Sequence, residues 1–466
     1  MIFFVGNPWG IRSLMLRFNA LERRILFKIP IHGFSPFFHP MAFLLLAVGF
    51  SSPVFSMECP AQEGTPVSSI ELQGLRQTHP SVVKDALENR KGNRFSCPAW
   101  EGEHNRLRDL GIFASVELAA QSSGDSVSLI YRFQELPPYI PLASVNKTDQ
   151  DGFSIGPSVA ALNFLGTGKR VDVMARFGGS TEYQAAISGR QLFGHPVEFN
   201  AAWIHVNSYN PFDTSHENSH RFKAEGFWPA FADQHFGIIG LAEYFWIQSD
   251  SAQITLRSGG DAVPRLGIGL RWDSRDRVLL PRRGFFSETR FTQNGGFLGG
   301  PADYWEELID LRGYLPLARR HGLVVDALYQ YRRATLDSNM GRYDDFHAGG
   351  ANTLRGYHDN AFQGQNECLV NVEYRFDALE ERVQKLGPWS LNYGVQLVTG
   401  IDAASLWSGN EARPEAFHPG VYTGIHILVP GIERIRFELG TQTAKFDLHF
   451  NLGLFEKTTV QRFRTR

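Results

Sequence analysis

The residues best placed to do chemistry are a lone arginine and two distant carboxylates. Arg355 lies in Gly349-Gly350-Ala351-Asn352-Thr353-Leu354-Arg355-Gly356-Tyr357, inside the longest connection between the alternating segments of the chain. A connection of that length normally carries a function or is disordered. In Asn371-Val372-Glu373-Tyr374-Arg375-Phe376, Glu373 shares a face with Arg375, opposite Val372, Tyr374 and Phe376. Farther on, Leu391, Tyr393, Val395 and Leu397 mark one apolar face, which puts Asp402 on the other if the strand extends that far. A guanidinium and carboxylates of this kind make planar, charge-assisted hydrogen bonds rather than turn over substrate. No Gly-x-Ser-x-Gly elbow, phosphate-binding glycine loop or His-Glu-x-x-His pair is present, so neither an enzyme nor a cofactor is expected. His216 and His220 fall in a polar stretch read as an exposed loop rather than a metal pair. Cys59, Cys97 and Cys368 lack the paired spacing of a zinc site, and no metal is expected. Their odd number leaves at least one unpaired. For Cys59 and Cys97, a disulfide and two free thiols both remain open.

Two kinds of segment must position these residues. Residues 66–137 read as β-α-α-β-β. A strand over 67–74 is followed by a helix near Pro80 carrying Val82, Val83, Ala86 and Leu87 at helical spacing. A second helix over 98–110 directs Trp100, Leu107 and Leu110 inward and stops at Gly111. Strands over 114–120 and 127–134 flank the polar loop Ser122-Ser123-Gly124-Asp125. From Tyr139 to Phe455 the pattern becomes repeated alternation, in segments long enough for a tilted strand to cross a bilayer. Near the end, Phe446, Leu448, Phe450, Leu452 and Leu454 alternate with Lys445, Asp447, His449, Asn451 and Gly453; before them Ile435, Phe437 and Leu439 oppose Arg434, Arg436 and Glu438. Alternation alone does not say which face is inside. Sixteen such segments, joined by short turns that alternate with longer polar loops, predict a 16-stranded antiparallel transmembrane β-barrel, mainly β overall, behind one small α+β domain. Closing the barrel satisfies every backbone group in lipid.

The 466 residues include 13% aromatics, 37 of them Phe, and 46 Gly, with a formal net charge of -2. Aromatic anchors and many turns suit a bilayer partner, and the charge gives no support to a nucleic-acid partner. Residues 1–56 read as a targeting segment. The apolar run 41–50 is about half the ~20 residues of a spanning helix and is followed by small residues before Met57. Export is the favoured reading. An organelle transit peptide is the rival, since Arg12, Arg17, Arg23, Arg24 and Lys28 face only Glu22 in this segment. Residues 456–466 form a basic tail.

Several motifs resemble those of the BamA/TamA family of outer-membrane assembly proteins. The β-α-α-β-β unit with Gly111-Ile112-Phe113-Ala114-Ser115-Val116 resembles a POTRA (polypeptide-transport-associated) domain. Leu354-Arg355-Gly356-Tyr357 resembles the Val-Arg-Gly-Phe/Tyr hallmark of the family's sixth loop, and Gly400-Ile401-Asp402-Ala403-Ala404 resembles its Gly-x-Asp-x-Gly pattern with Ala404 in place of the last glycine. Asn163 to Lys169 looks like the first periplasmic turn, and Asp273-Ser274-Arg275-Asp276 with Pro281 and Gly284 like the mid-barrel turn. The resemblance implies a loop folded into the barrel, with Arg355 held by Asp402 and Glu373 on the inner wall. It also implies a bacterial outer-membrane location, a small domain in the periplasm, and unfolded outer-membrane proteins as clients, together with a periplasmic or inner-membrane partner protein. Two-partner secretion transporters share the Arg-Gly-Tyr loop, so a secreted polypeptide is the alternative client. A first strand around 141–148, poor in large apolar residues, is expected to pair weakly with the last, 446–455.

Overall fold

The computed structural model describes residues 59–454, apart from short stretches at several turns and loop tips. The targeting segment and the basic tail lie outside the described residues. The small domain begins with β1 (Val67–Gln73), α1 (Pro80–Ala86) and α2 (Cys97–Asp109), and ends with β2 (Phe113–Ser123) and β3 (Ser126–Glu135). Both helices start with proline in the first turn, where its missing N–H costs nothing. The three strands pair in the order β1-β3-β2, with β1 parallel to β3. Trp100, Leu107 and Val83 from the helices pack on Val67, Leu129, Tyr131 and Phe133. A charged residue sits inside this core. The Glu103 carboxylate accepts the N–H groups of Glu88 (2.8 Å) and Asn89 (2.6 Å) and the Tyr131 hydroxyl (2.6 Å), which is how a buried carboxylate avoids an unmet desolvation cost. Burial beside Glu103 pushes the Tyr131 phenol upward. Cys59 and Cys97 are joined as a disulfide, tying the entering chain to the start of α2.

Sixteen strands follow in one antiparallel sheet. They are β4 (Tyr139–Thr148), β5 (Gly152–Phe164), β6 (Lys169–Gly178), β7 (Thr181–Gly189), β8 (Glu198–Asn210), β9 (Ser215–Pro229), β10 (Phe236–Ser249), β11 (Asp261–Asp273), β12 (Gly284–Gly295), β13 (Asp303–Ala318) and β14 (His321–Ala334), then β17 (Asn366–Leu386), β18 (Trp389–Trp407), β19 (His418–Val429), β20 (Glu433–Gln442) and β21 (Leu448–Leu454). Each pairs with its neighbour in sequence, and β14 pairs with β17. The short hairpin of β15 (Phe346–Ala348) and β16 (Phe362–Gly364) stands apart in the long connection between those two. The sixteen expected segments are thus sixteen strands. β13 keeps its pairing with β14 through Leu315 and Pro316 to Ala318, so the turn that joins the two is short. His216 and His220, expected in a loop, lie within β9. His220 stacks on Trp203 and lies tilted against the rings of His205 and Trp246, all from neighbouring strands. The expected alternation from Lys445 to Leu454 concerns side chains outside those described.

The two faces of this sheet are inverted relative to a soluble sandwich. Exposed positions include Ile268, Leu270, Trp272, Leu397, Ile401, Ile425, Phe437 and Leu439. The alternate positions bury charge, among them Arg271, Glu288, Arg290, Asp310, Arg312, Arg332, Glu373, Asp402, Arg436 and Glu438. That arrangement suits an apolar solvent outside, and it decides the question that alternation left open. No helix among the described residues is long and apolar enough to cross a membrane.

The small domain meets the sheet through its short turns. Asn163 accepts the Gly168 N–H (2.8 Å) and donates to Thr78 (2.9 Å), whose hydroxyl donates to Glu135 (2.6 Å). Gly166, at φ 74°, comes so close to Gln77 that a Cβ would lie 2.2 Å from its carbonyl oxygen. In the turn between β11 and β12, the Asp276 carboxylate accepts the N–H groups of Arg277 and Arg282 at 3.0 and 2.9 Å. This presents Val278 N–H to Asp109 (2.9 Å), while Arg277 and Arg108 converge on Glu381 at 2.7 Å each.

Candidate functional site

In the connection between β14 and β17, residues 340–365 turn back against the charged face and seat the tip of the loop on β17, β18, β19 and β20. Three glycines with left-handed backbone shape the tip: Gly349 (φ 133°), Gly350 (φ 81°) and Gly356 (φ 95°). A Cβ on Gly349 would stand 2.1 Å from the His358 carbonyl oxygen, and one on Gly350 1.8 Å from the Asp359 carboxylate. Thr353 fastens the same turn, accepting the Gly349 N–H (2.8 Å) and donating to the Gly349 carbonyl (2.9 Å). Leu354 is fully buried with Ala348 and Ala404. Ala404, which stands where the family pattern has glycine, therefore contributes a methyl group to the seat of Leu354. Tyr357 donates its hydroxyl to the Pro419 carbonyl (3.1 Å) and meets Phe362 edge-on.

Between Leu354 and Tyr357, Arg355 is extended into a nest of acceptors. Its Nε and Nη2 each donate to the Asp402 carboxylate at 2.7 Å, and its backbone N–H donates to the same group at 3.0 Å. Nη1 donates to Glu438 at 2.8 Å, while Glu373 stands off at 3.6 Å. The guanidinium lies over the Tyr422 ring, 3.3 Å from its centroid. Tyr422 in turn donates to Glu373 (2.7 Å), and Asn371 donates to both Asp402 (2.6 Å) and the Tyr422 oxygen (3.1 Å). Arg436 completes the seat from β20 by donating to the Ala351 carbonyl (3.0 Å) and to Asn352 (2.6 Å).

Of the sequence-predicted residues, Gly349, Gly350, Leu354, Arg355, Gly356, Tyr357 and Asp402 meet in one place, and Glu373 lies at its edge. Glu438 takes the nearer position expected of Glu373. The reason is geometric: Glu373 is engaged by Arg375 (2.5 Å) and by Tyr422, which leaves Glu438 facing the outer nitrogen of Arg355. Glu438, Tyr422 and Asn371 were not singled out from sequence, although Glu438 had been placed on the polar face of its strand. Two wall glycines were missed as well. A Cβ on Gly420 would lie 2.1 Å from the Arg355 carbonyl oxygen and one on Gly440 2.5 Å from the Gly356 nitrogen, so both strands lose their side chains where the tip lands.

Glu373, His426 and Glu438 are buried with donor atoms within 4.8 Å of one another, a spacing a metal ion could use. Their oxygens are already committed. Glu438 serves Arg355 and His426 Nε2 (2.9 Å), and Glu373 serves Arg375 and Tyr422. A divalent ion here would face Arg355, Arg375 and Arg436, so the cluster is read as an ion-pair network.

A 16-stranded antiparallel sheet with apolar residues on one face, charge on the other and a loop seated on the charged wall defines a β-barrel of the membrane kind. Within that class the chain belongs to the Omp85 superfamily, whose domain matches residues 163–455. It is an outer-membrane β-barrel protein, similar to proteins of insertion and transport. Outer membrane protein assembly factor BamA of Nitratidesulfovibrio vulgaris is 21% identical over 336 residues, 66% of this chain and 41% of the relative. The chain thus spans about two fifths of that relative's length. Among solved structures, BamA of Haemophilus ducreyi lacking POTRA domains 1–3 superposes with a TM-score of 0.52 at 14% identity, covering 84% of this chain and 83% of that one. CdiB of Escherichia coli superposes at 0.57 and CdiB of Acinetobacter baumannii at 0.54, each at 14% identity over 84% of this chain, covering 74% and 73% of theirs. These likenesses concern the fold.

Proposed function

We propose that the protein assembles other β-barrel proteins into the outer membrane, without cofactor or nucleotide, and that Arg355 locks its large loop inside a closed 16-stranded barrel. The observation that carries this reading is the buried bidentate pairing of Arg355 with Asp402 at the tip of that loop. Removing either partner strands the other charge, so the pairing suits a loop that must stay seated. The small domain, read as a POTRA domain, has β2 as an edge strand to which an extended client would add, where main-chain hydrogen bonds supply affinity with little regard for sequence. The Cys59–Cys97 disulfide suits the oxidising periplasm. The seam between β4 and β21 is the proposed site of client entry. β4 carries Pro141, which has no N–H to offer a neighbouring strand, and this supports a weakly paired β4. A client strand would then add to an exposed edge. A separate periplasmic or inner-membrane protein is the expected partner of the small domain.

Passage of a secreted polypeptide through the barrel is the second reading, as in the transporters that share the Arg-Gly-Tyr loop. The charged and polar inner face favours it. One experiment separates the two: the purified protein is placed in lipid vesicles, and both the folding rate of a test barrel and single-channel conductance are measured for wild type and Arg355→Ala. Faster folding with wild type, lost in the variant, supports assembly. A steady large pore without any effect on folding replaces assembly with translocation.

A further inference from the structure

The loop that carries Arg355 is gripped a second time, well before its tip. Residues 342–344 form a single 3-10 turn, after which Phe346 enters β15. Tyr343 is buried in an apolar cluster with Phe245, Ile247, Ile254, Val263, Ala302 and Tyr304. Next to it Asp344, 2% exposed, accepts from Arg265 at 2.6 Å and from the Tyr304 hydroxyl, and its backbone carbonyl accepts from Arg332. The wall behind these donors is itself tied down. Arg265 also pairs with Glu243 (3.2 Å), Glu243 with Arg221 (3.4 Å), and Arg332 with Glu306 (2.6 Å) while lying 3.8 Å over the Phe346 ring. Two residues before Asp344, Arg342 reaches Asp213, beyond the end of β8, at 3.0 Å.

The residues that hold Tyr343 and Asp344 lie on β10, β11, β13 and β14 and in the connections beside them, with Asp213 beyond β8 holding Arg342, whereas the tip is seated on β17 to β20. The two grips share no residue. Each is built from buried charge with its partners in place, and each would resist removal of one partner by itself.

The geometry points to Asp344 as a second latch: held by Arg265 and Tyr304, it fixes the descending limb of the loop independently of Arg355. The loop is then a crossbar pinned on two stretches of wall, and the barrel interior opens as a wide path only when both pins are released. The consequence for the path rests on the barrel being closed and client-handling, as proposed above; the latch itself does not.

The test therefore reads the latch directly. Trypsin is added to the full-length protein in detergent and in vesicles, and cleavage after Arg342 and after Arg355 is followed by mass spectrometry. Wild type, Arg265→Gln, Tyr304→Phe and Arg355→Ala are compared, each first checked for a folded barrel by its heat-dependent shift on gels. Replacing wall residues leaves the sequence around the Arg342 bond unchanged. Arg265→Gln is expected to speed cleavage after Arg342 at least tenfold while the bond after Arg355 stays protected, and Tyr304→Phe to give a smaller increase at the same bond. Arg355→Ala is expected to leave cleavage after Arg342 near the wild-type rate. Conductance should rise only modestly in either single variant, with a large steady current when Arg265→Gln and Arg355→Ala are combined.

Unchanged cleavage after Arg342 in both folded wall variants would overturn the proposal. So would an equal acceleration at that bond by Arg355→Ala, because the loop would then be held as one unit. If Arg265→Gln does not fold, Tyr304→Phe, which keeps the ring and loses only the hydroxyl, decides by the same criterion. A protein that shows the expected cleavage pattern but never accelerates folding of a test barrel keeps its latch and loses its assembly role.

Discussion

Arg355 and Asp402 form an ion pair that is buried on both sides, which makes single replacements costly. Asp402→Asn keeps the shape but withdraws the charge, and Arg355→Ala leaves Asp402 and Glu438 facing each other without their shared cation. Breaking such a pair typically costs about 3–5 kcal/mol, so both variants are expected to lower the urea midpoint of the folded protein in detergent, with Arg355→Ala the more damaging. An unchanged midpoint would mean that the tip is solvated and the pair contributes little. Gly440→Ala probes the same seat from the wall. Its Cβ would fall 2.5 Å from the Gly356 backbone nitrogen, which cannot swing aside like a side chain. Overpacking of this kind costs about 1–3 kcal/mol, and the expected sign is faster trypsin cleavage after Arg355, with Gly313→Ala, whose Cβ meets nothing closer than 3.9 Å, as the silent control.

At the scale of elements, two features of the small domain can be perturbed separately. The Cys59–Cys97 bond closes a segment of sequence separation 38, and loop-closure entropy assigns about 3–4 kcal/mol to a loop of that size. Reduction is therefore expected to loosen residues 59–109, seen as faster amide exchange there, while the sheet from β5 to β20 exchanges as before. His104 on α2 gives a pH dependence. Burial, reinforced by Arg108 and Arg277, holds its imidazole below the ordinary histidine range even though Nε2 lies 3.1 Å from the Val116 carbonyl. A group whose folded pKa is depressed contributes stability above its unfolded value, about 6.5, and loses it as the pH falls toward the folded one. Exchange of α2 amides should rise on acidification from pH 7 to 5, and His104→Gln should flatten that rise; identical profiles would assign the effect to other groups.

The elements were more legible than their contacts. Both helices and all three strands of the small domain lie within a few residues of where periodicity puts them, because proline starts and glycine stops mark their ends. The wall was legible only to the extent that alternation fixes a side chain's face, which is how Glu373 and Asp402 could be assigned to the inside. Alternation carries no information on height along a strand, so nothing in the sequence ranked Glu438 above Glu373. Asp344 was invisible for a different reason: its partners Arg265, Tyr304 and Arg332 sit on three strands brought together only by the sheet order, and the residue itself has no periodic neighbours.

For the whole molecule, the small domain and the sheet are joined through buried polar contacts as well as the chain itself. Glu381 near the end of β17 receives Arg108 from the small domain and Arg277 from the turn after β11. Glu381→Gln removes the acceptor charge that holds two arginines close together, and Arg108 and Arg277 then repel. The expected outcome is a less fixed small domain, measurable as a broader distance distribution between spin labels at exposed Gln121 and Ser408 and, on the assembly reading proposed above, as test-barrel insertion slowed several-fold. A distribution as narrow as wild type would leave the turn at 163–168 as sufficient attachment.

The placement of the loop seat also bears on how the chain completes itself. Arg355 precedes Asp402 by 47 positions and Glu438 by 83, so its acceptors belong to strands made later. Until β18 and β20 have joined the sheet, the tip has nowhere to go, and a guanidinium without acceptors will not leave water. Docking of the tip is thus a terminal event that reports on the finished sheet. A chain that stalls short of β20 would keep Arg355 displayed, marking itself as unfinished to any protease that cleaves after arginine.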